Sequence, residues 1–196
     1  MCDNDFDLVF VIDGSGSIRQ AGAGNFDLMK TFIKMLIEGF SVDYDKTHVA
    51  AVIYSSSVYV RKVFGLGSYY NHQAIFKAID AIKYPYGGTS TGEAITFVRT
   101  GIYTSRQDRE DVPNVCIIIT DGKADDDTKG PSQALLNTGT TIFALGVGKI
   151  YDINELVVMA GDPRYVYTAD FKALVNSGQS LVQSLALSIC RGWLRF

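Results

Sequence analysis

The sequence is short of the residues that build soft-metal and disulfide-rich domains: its 196 residues include 3 cysteines, 2 histidines, 4 prolines and 1 tryptophan. A zinc-type cluster needs several Cys or His ligands at close spacing, and His48 and His72 have no such neighbour in the chain. Charge of one sign is scarce too. The 18 Lys and Arg against 21 Asp and Glu leave a net charge of −3 with no dense basic cluster. Nucleic acid and anionic membrane surfaces both require a positive field, so neither is expected as the main partner. No segment approaches the roughly 18 unbroken apolar residues of a membrane span, so direct membrane insertion is not expected either. Met1-Cys2-Asp3 opens no signal peptide, and the start reads as that of an excised module. The sequence has no Asn-x-Ser/Thr site, so glycosylation gives no clue to the compartment.

What is present is an ordinary globular composition, 47% hydrophobic and 20% charged. The length suits one core, and a single domain over residues 1–190 is expected, with 191–196 ("RGWLRF") as tail or linker. Six segments read as strands: "DLVFVI" (Asp7 to Ile12), "HVAAVIYS" (His48 to Ser55), "VYVRKVF" (Val58 to Phe64), "NVCIIIT" (Asn114 to Thr120), "TIFALGV" (Thr141 to Val147) and "RYVYT" (Arg164 to Thr168). Most are β-branched and apolar on both faces, which is what a parallel sheet covered by helices demands. "VYVRKVF" alternates and follows its predecessor closely, so it is expected as an antiparallel edge strand. Amphipathic helical spacing occupies "NFDLMKTFIKMLIEGF", "NHQAIFKAIDAI", "STGEAITFVRTGIY", "INELVVMA" and "FKALVNSGQSLVQSLALSIC". The fold class is therefore α/β: a doubly wound, mostly parallel six-stranded sheet with one antiparallel edge strand and helices on both faces.

Ligands of such sheets bind beyond the carboxyl ends of the strands, where the strand order reverses. At the end of the first strand, "FDLVFVIDGSGSI" passes directly from apolar residues to Asp13, Ser15 and Ser17, and "VCIIIT" is followed at once by Asp121. If those two strands are neighbours, the acids meet. Two carboxylates without a cation repel, and a hard divalent ion relieves that repulsion. Carboxylate and hydroxyl ligands suit Mg²⁺ or Mn²⁺ better than Zn²⁺, while Ca²⁺ usually takes more oxygens. The residues alone leave a second reading open, a Ser/Gly turn that caps the next helix.

"DGSGS" resembles the first metal-ligand motif, Asp-x-Ser-x-Ser, of the von Willebrand factor type A fold. "GGTSTGEA" (Gly87 to Ala94) and "IITDGKADD" stand where that family supplies a threonine and a second acid. The resemblance covers roughly Phe6 to Ser188 and implies that Asp13, Ser15, Ser17, Thr89 and Asp121 form a metal-ion-dependent adhesion site for Mg²⁺ or Mn²⁺. It implies adhesion rather than turnover, with an open coordination position filled by a Glu or Asp of a protein partner in the matrix or on a cell surface. It also implies an extracellular setting, because Cys2 and Cys190 resemble the terminal cysteines of matrilin- and collagen-type A domains. Paired, they would close nearly the whole chain into a loop, worth about 5 kcal/mol in the chain-entropy model; Cys116, inside "VCIIIT", reads as a buried thiol.

Two other functions compete. One is a structural matrix-assembly domain that does not use the metal. The other is a Mg²⁺-dependent phosphotransferase with Asp13 as nucleophile, which lacks an obvious general acid because Ser15 stands where a second acid commonly falls. "GSGSIR" departs from the dinucleotide fingerprint at Arg19. Asp125 to Asp127 fail the EF-hand register at Lys129 and Leu136 and read as a solvated acidic loop. Tyr84 and Tyr86 flank the threonine loop, either as a ligand-contacting rim or as packing around Pro85. In the last helix Gly178 is a weak point, and in integrin members of the family that helix slides axially as the metal site rearranges.

Overall fold

The computed structural model describes residues 5–104, 108–176 and 178–191. The strands are β1 (Asp7–Asp13), β2 (His48–Tyr54), β3 (Val60–Phe64), β4 (Asn114–Thr120), β5 (Thr141–Val147) and β6 (Val166–Ala169). They form one sheet in the order β3-β2-β1-β4-β5-β6, parallel throughout except for β3 against β2. The order reverses between β1 and β4, so the predicted switch point exists and sets Asp13 beside the end of β4.

Seven consecutive residues of β1 are buried, and their alternation divides the core in two. Leu8, Phe10 and Ile12 pack with Phe32, Ile33 and Leu36 of helix α2 (Asn25–Ile37) and with Leu185 and Ile189 of α8 (Gly178–Arg191). Short α1 (Gly16–Ala21) and α3 (His72–Asp80) cover the same face through Ile18, Ile75 and Ile79. Val9 and Val11 face the other way, toward Ala94 and Ile95 of α4 (Thr91–Phe97), Leu135 of α5 (Lys129–Leu136), and Leu156 and Met159 of α6 (Ile153–Ala160). Burying a Leu, Ile or Phe is worth about 1.5–3 kcal/mol, so this strand alone anchors both layers.

Three local differences from the sequence reading have physical causes. The helix expected to run through "STGEAITFVRTGIY" widens into a π turn at Val98–Ile102, closed by Tyr103 N–H donating to the Val98 carbonyl at 3.0 Å. That turn delivers the Tyr103 hydroxyl to the Val115 carbonyl at 2.7 Å, at the pole where β1 and β4 begin. The last helix divides into α7 (Ala173–Asn176) and α8, with Gly178 opening the second piece. Helices α1 and α5 carry too little apolar periodicity to be read, and the first turn of α5 contains Gly130 and Pro131.

The sheet has two modest edges. β3 is bulged against β2 between Ala51 and Val52 and exposes Arg61 and Lys62, and β6 has only four residues. At the starting pole of the sheet, buried Asp7 accepts hydrogen bonds from Arg109: Nη2 and Nε to Oδ1 at 2.6 and 2.9 Å, and the backbone N–H to Oδ2 at 3.0 Å. A buried carboxylate left without its cation costs about 3–5 kcal/mol. Arg109→Ala is therefore expected to lower the unfolding free energy by about 3 kcal/mol in urea titration at neutral pH, leaving cation binding at the far pole intact.

Candidate metal centre

Three segments meet at the carboxyl ends of β1 and β4. The first is the loop from Asp13 to Ser17. Gly14 N–H donates to the Tyr54 carbonyl at 2.7 Å, and a Cβ on Gly14 would lie 2.4 Å from Pro85 Cγ, so only glycine fits between β2 and the second segment. That second segment, residues 84–89, is stitched to the first by main-chain bonds. Tyr86 N–H donates to the Gly14 carbonyl at 3.1 Å, and Gly16 N–H to the Gly87 carbonyl at 2.8 Å. Tyr86 sits at φ 56°, a left-handed conformation that bulky residues rarely adopt and that is held here from both sides. Its ring is exposed, whereas the Tyr84 hydroxyl turns inward and donates a short hydrogen bond to the Ser15 carbonyl. The third segment is Thr120 and Asp121.

The side chains of Asp13, Ser15, Ser17 and Asp121 form one hydrogen-bonded group. Asp13 Oδ1 accepts Ser15 N–H at 2.7 Å, and its Oδ2 accepts the Thr120 hydroxyl at 2.7 Å. Ser15 Oγ and Ser17 Oγ are 2.9 Å apart; Ser17 donates to Asp121 Oδ1 at 2.7 Å, and Ser15 reaches the same oxygen at 3.4 Å. Asp121 Oδ2 is buried and has no hydrogen-bond partner among the described residues. Thr89 lies two residues beyond the Ser15–Gly87 bridge, 8% exposed, and its hydroxyl bonds none of the other four among the described residues. Its backbone is fixed instead by Asp125: Thr89 N–H donates to Asp125 Oδ2 at 2.7 Å, and Asp125 N–H to the Thr89 carbonyl at 2.9 Å.

Residues 125–127 face solvent as expected of "DDD", with Asp125 and Asp127 exposed and Asp126 half-buried, but each also holds backbone N–H groups. Asp126 accepts the N–H groups of Gly92 and Glu93, each at 2.9 Å, capping the start of α4, and Asp127 accepts those of Lys129 and Gly130 at 3.1 and 3.2 Å. Each acid is anchored to an unsatisfied backbone donor at a helix or loop start. Thr120, Asp125 and the inward Tyr84 hydroxyl were not assigned supporting roles from sequence. The bonds that reveal them span 36 residues or more.

Burial pushes the Asp13 carboxyl up from 3.8 to about 6, offset in part by the hydrogen bonds from Thr120 and Ser15 and reinforced by the charge of Asp121. Burial raises Asp121 as well, against the bonds from Ser17 and Ser15. Neither acid has a Lys or Arg within ion-pair distance among the described residues. The donor set is two carboxylates and neutral hydroxyls, with one buried carboxylate oxygen unsatisfied, and this fits a hard divalent cation. The described residues contain no cluster of three or more His, Cys, Asp or Glu, so a site of the zinc-finger kind is absent among them.

A doubly wound sheet with this oxygen-lined crevice at its switch point is the architecture of one large family of binding domains. Residues 7–179 match the von Willebrand factor type A domain model, and the chain belongs to that family. It is 36% identical to chicken (Gallus gallus) matrilin-1 over 185 residues, covering 92% of this chain and 36% of that protein. It is 38% identical over 163 residues to the mouse (Mus musculus) collagen α5(VI) chain, covering 82% of this chain and 6% of the other. The chain thus spans about a third of the length of matrilin-1. Among solved structures it resembles proximal thread matrix protein 1 of the mussel byssus with a zinc-occupied MIDAS motif, at a TM-score of 0.87 and 29% identity, covering 96% of this chain and 46% of that one. The matrilin and collagen relatives are extracellular matrix proteins, and this domain is extracellular.

Linkage gives the sign of a pH effect. An acid raised from 3.8 to about 6 contributes stability below pH 4 that is lost as pH rises through about 6, a difference of about 3 kcal/mol for Asp13. In the metal-free protein Asp13→Asn should therefore raise the unfolding free energy by about 2–3 kcal/mol at pH 7.5 and leave it nearly unchanged at pH 4, measured by denaturant titration in a chelator.

Proposed function

We propose that this domain is an adhesion module that binds an acidic residue of a matrix or cell-surface protein through a divalent cation, Mg²⁺ or Mn²⁺. The observation that carries the reading is Asp121 Oδ2, a buried carboxylate oxygen without a partner among the described residues, beside a second buried acid and two serine hydroxyls. Asp13, Ser15, Ser17, Thr89 and Asp121 would hold the ion, directly or through water. Hydroxyl ligands are neutral, so an ion held by two carboxylates keeps enough charge to attract an anionic ligand from outside. The zinc-occupied MIDAS motif of the byssus relative supports a divalent ion at this position.

The enzyme alternative is disfavoured by geometry. Asp13 is fully buried and both its oxygens accept hydrogen bonds, so it is not presented for nucleophilic attack. Tyr86, exposed on the rim, is the aromatic that a partner would meet; Tyr84 acts behind it by holding the Ser15 carbonyl.

The same reading assigns residues 1–190 to one domain and 191–196 to a tail or linker, and pairs Cys2 with Cys190. Cys2 and residues 192–196 lie outside the described residues. Support for the pairing is that Cys116 is the free, buried cysteine in β4 and Cys190 is disulfide-bonded. Such a bond tethers α8 and limits its travel. Reducing it should lower stability by up to about 5 kcal/mol and change partner affinity in Mg²⁺; an unchanged affinity removes the restraint on α8.

The decisive experiment is cation binding followed by partner binding. Calorimetry should show one Mn²⁺ or Mg²⁺ bound per chain, lost in Asp13→Ala and Asp121→Ala, and adhesion to matrix proteins should vanish in chelator and in both variants. Adhesion that survives chelation and Asp13→Ala would establish the metal-independent matrix-assembly role instead.

A further inference from the structure

We propose that the groove beside the metal centre receives a second carboxylate of the same partner segment, so that the domain reads a pair of acidic residues rather than one. The proposal rests on the metal reading above. The groove has a volume of about 700 Å³, and Ser17 and Asp121 form part of its wall, so it opens directly onto the hydroxyl–carboxylate group. One wall is the α1–α2 side, with Gln20 and Asn25, and another comes from the loops that leave the carboxyl ends of β5 and β6: Lys149 and Ile150 from the first, Asp170 and Lys172 from the second. A volume of that size lies within the range of ligand sites and far exceeds the roughly 30 Å³ of one water.

Charge argues for what occupies it. Lys149 and Lys172 are both exposed, and among the described residues neither has an acidic partner within 4.0 Å. Asp170 is the one acid of these two loops that lines the groove; it too has no basic partner among the described residues, and its carbonyl accepts the Leu174 N–H at 3.2 Å at the start of α7. With the cation balancing Asp13 and Asp121, the groove keeps two ammonium groups against one carboxylate. In the same groove Ile150, 61% exposed, offers an apolar surface for the methylenes of a glutamate.

Another side of the site has the opposite sign. There Asp125 lies against Thr89, with Asp126 and Asp127 following. A segment with two acids is thus repelled from that side and drawn toward the lysines, which gives it one direction across the face. The occupant is therefore an extended acidic stretch of a partner protein, its first carboxylate on the ion and its second between Lys149 and Lys172.

The test uses the full chain in Mn²⁺ at low ionic strength, with fluorescent Gly/Ser peptides carrying either one glutamate or two at increasing separation. By anisotropy, at least one two-glutamate peptide should bind about tenfold more tightly than the single-glutamate peptide, since each exposed pair contributes a factor of roughly 1.4 to 5. Chelator and Asp13→Ala should abolish binding of both. K149A/K172A, which alters only exposed side chains, should erase the preference while leaving single-glutamate binding and Mn²⁺ affinity unchanged. As an independent readout, acetylation of Lys149 and Lys172 by an amine reagent should be slowed by the two-glutamate peptide and not by the other. A preference that is absent, or that persists in K149A/K172A, overturns the groove assignment and leaves the metal reading standing. Peptide binding indifferent to chelator and to Asp13→Ala overturns the metal reading and the proposal with it.

Discussion

The structure turns on an uncompensated electrostatic problem at one end of the sheet. Asp13 and Asp121 are drawn together by the parallel register of β1 and β4, buried by the loops around them, and supplied with hydroxyl and amide donors but, among the described residues, no basic side chain. Hydrogen bonds offset part of the desolvation cost; burial still wins, as the raised carboxyls show. Two buried acids placed in this way repel each other, and a divalent cation is what the proposed metal reading supplies to relieve that repulsion. The opposite pole makes the contrast plain, because there buried Asp7 receives three hydrogen bonds from Arg109 and needs nothing from outside.

The scaffold fixes the site before any ligand arrives. The loop from Asp13 to Ser17 is bonded on one side to β2, through Gly14 and Tyr54, and on the other to residues 84–89, through main-chain bonds and the Tyr84 hydroxyl. Asp125 in turn fixes the backbone of Thr89, and Asp126 caps the helix that follows it. Little loop entropy remains to be lost on binding, so the interaction energy of an incoming ligand is not spent on assembling the receptor. The strain at Tyr86 belongs to the same design: main-chain bonds on both sides hold an exposed ring in a conformation that it would not choose alone.

Much of this architecture was legible because its signals are local. Apolar residues on both faces of β1, β4 and β5 marked buried parallel strands, and the bounds of β4 and β5 coincide with the reading. The abrupt step from Ile12 to Asp13 marked the ligand end of the sheet. What escaped notice depends on distant partners or on exceptions to propensity. Pro131 is tolerated in α5 because it falls in the first turn, where the missing N–H has no intrahelical acceptor. The acids of residues 125–127 are solvent-facing as read, but the capping bonds of Asp125 and Asp126 are not legible because the amides they hold lie more than thirty residues away. The threonine of "TDG" gave no hint that its hydroxyl would support Asp13.

The margins of the sheet bear on how such a domain behaves at high local concentration among fibrous neighbours. β3 is kinked by its bulge and displays Arg61 and Lys62, while β6 offers only four residues of unpaired backbone. Neither flank is a good template for an added strand from another molecule. Indiscriminate backbone pairing between crowded copies is thereby disfavoured, which leaves the side-chain surface free to decide what the domain associates with.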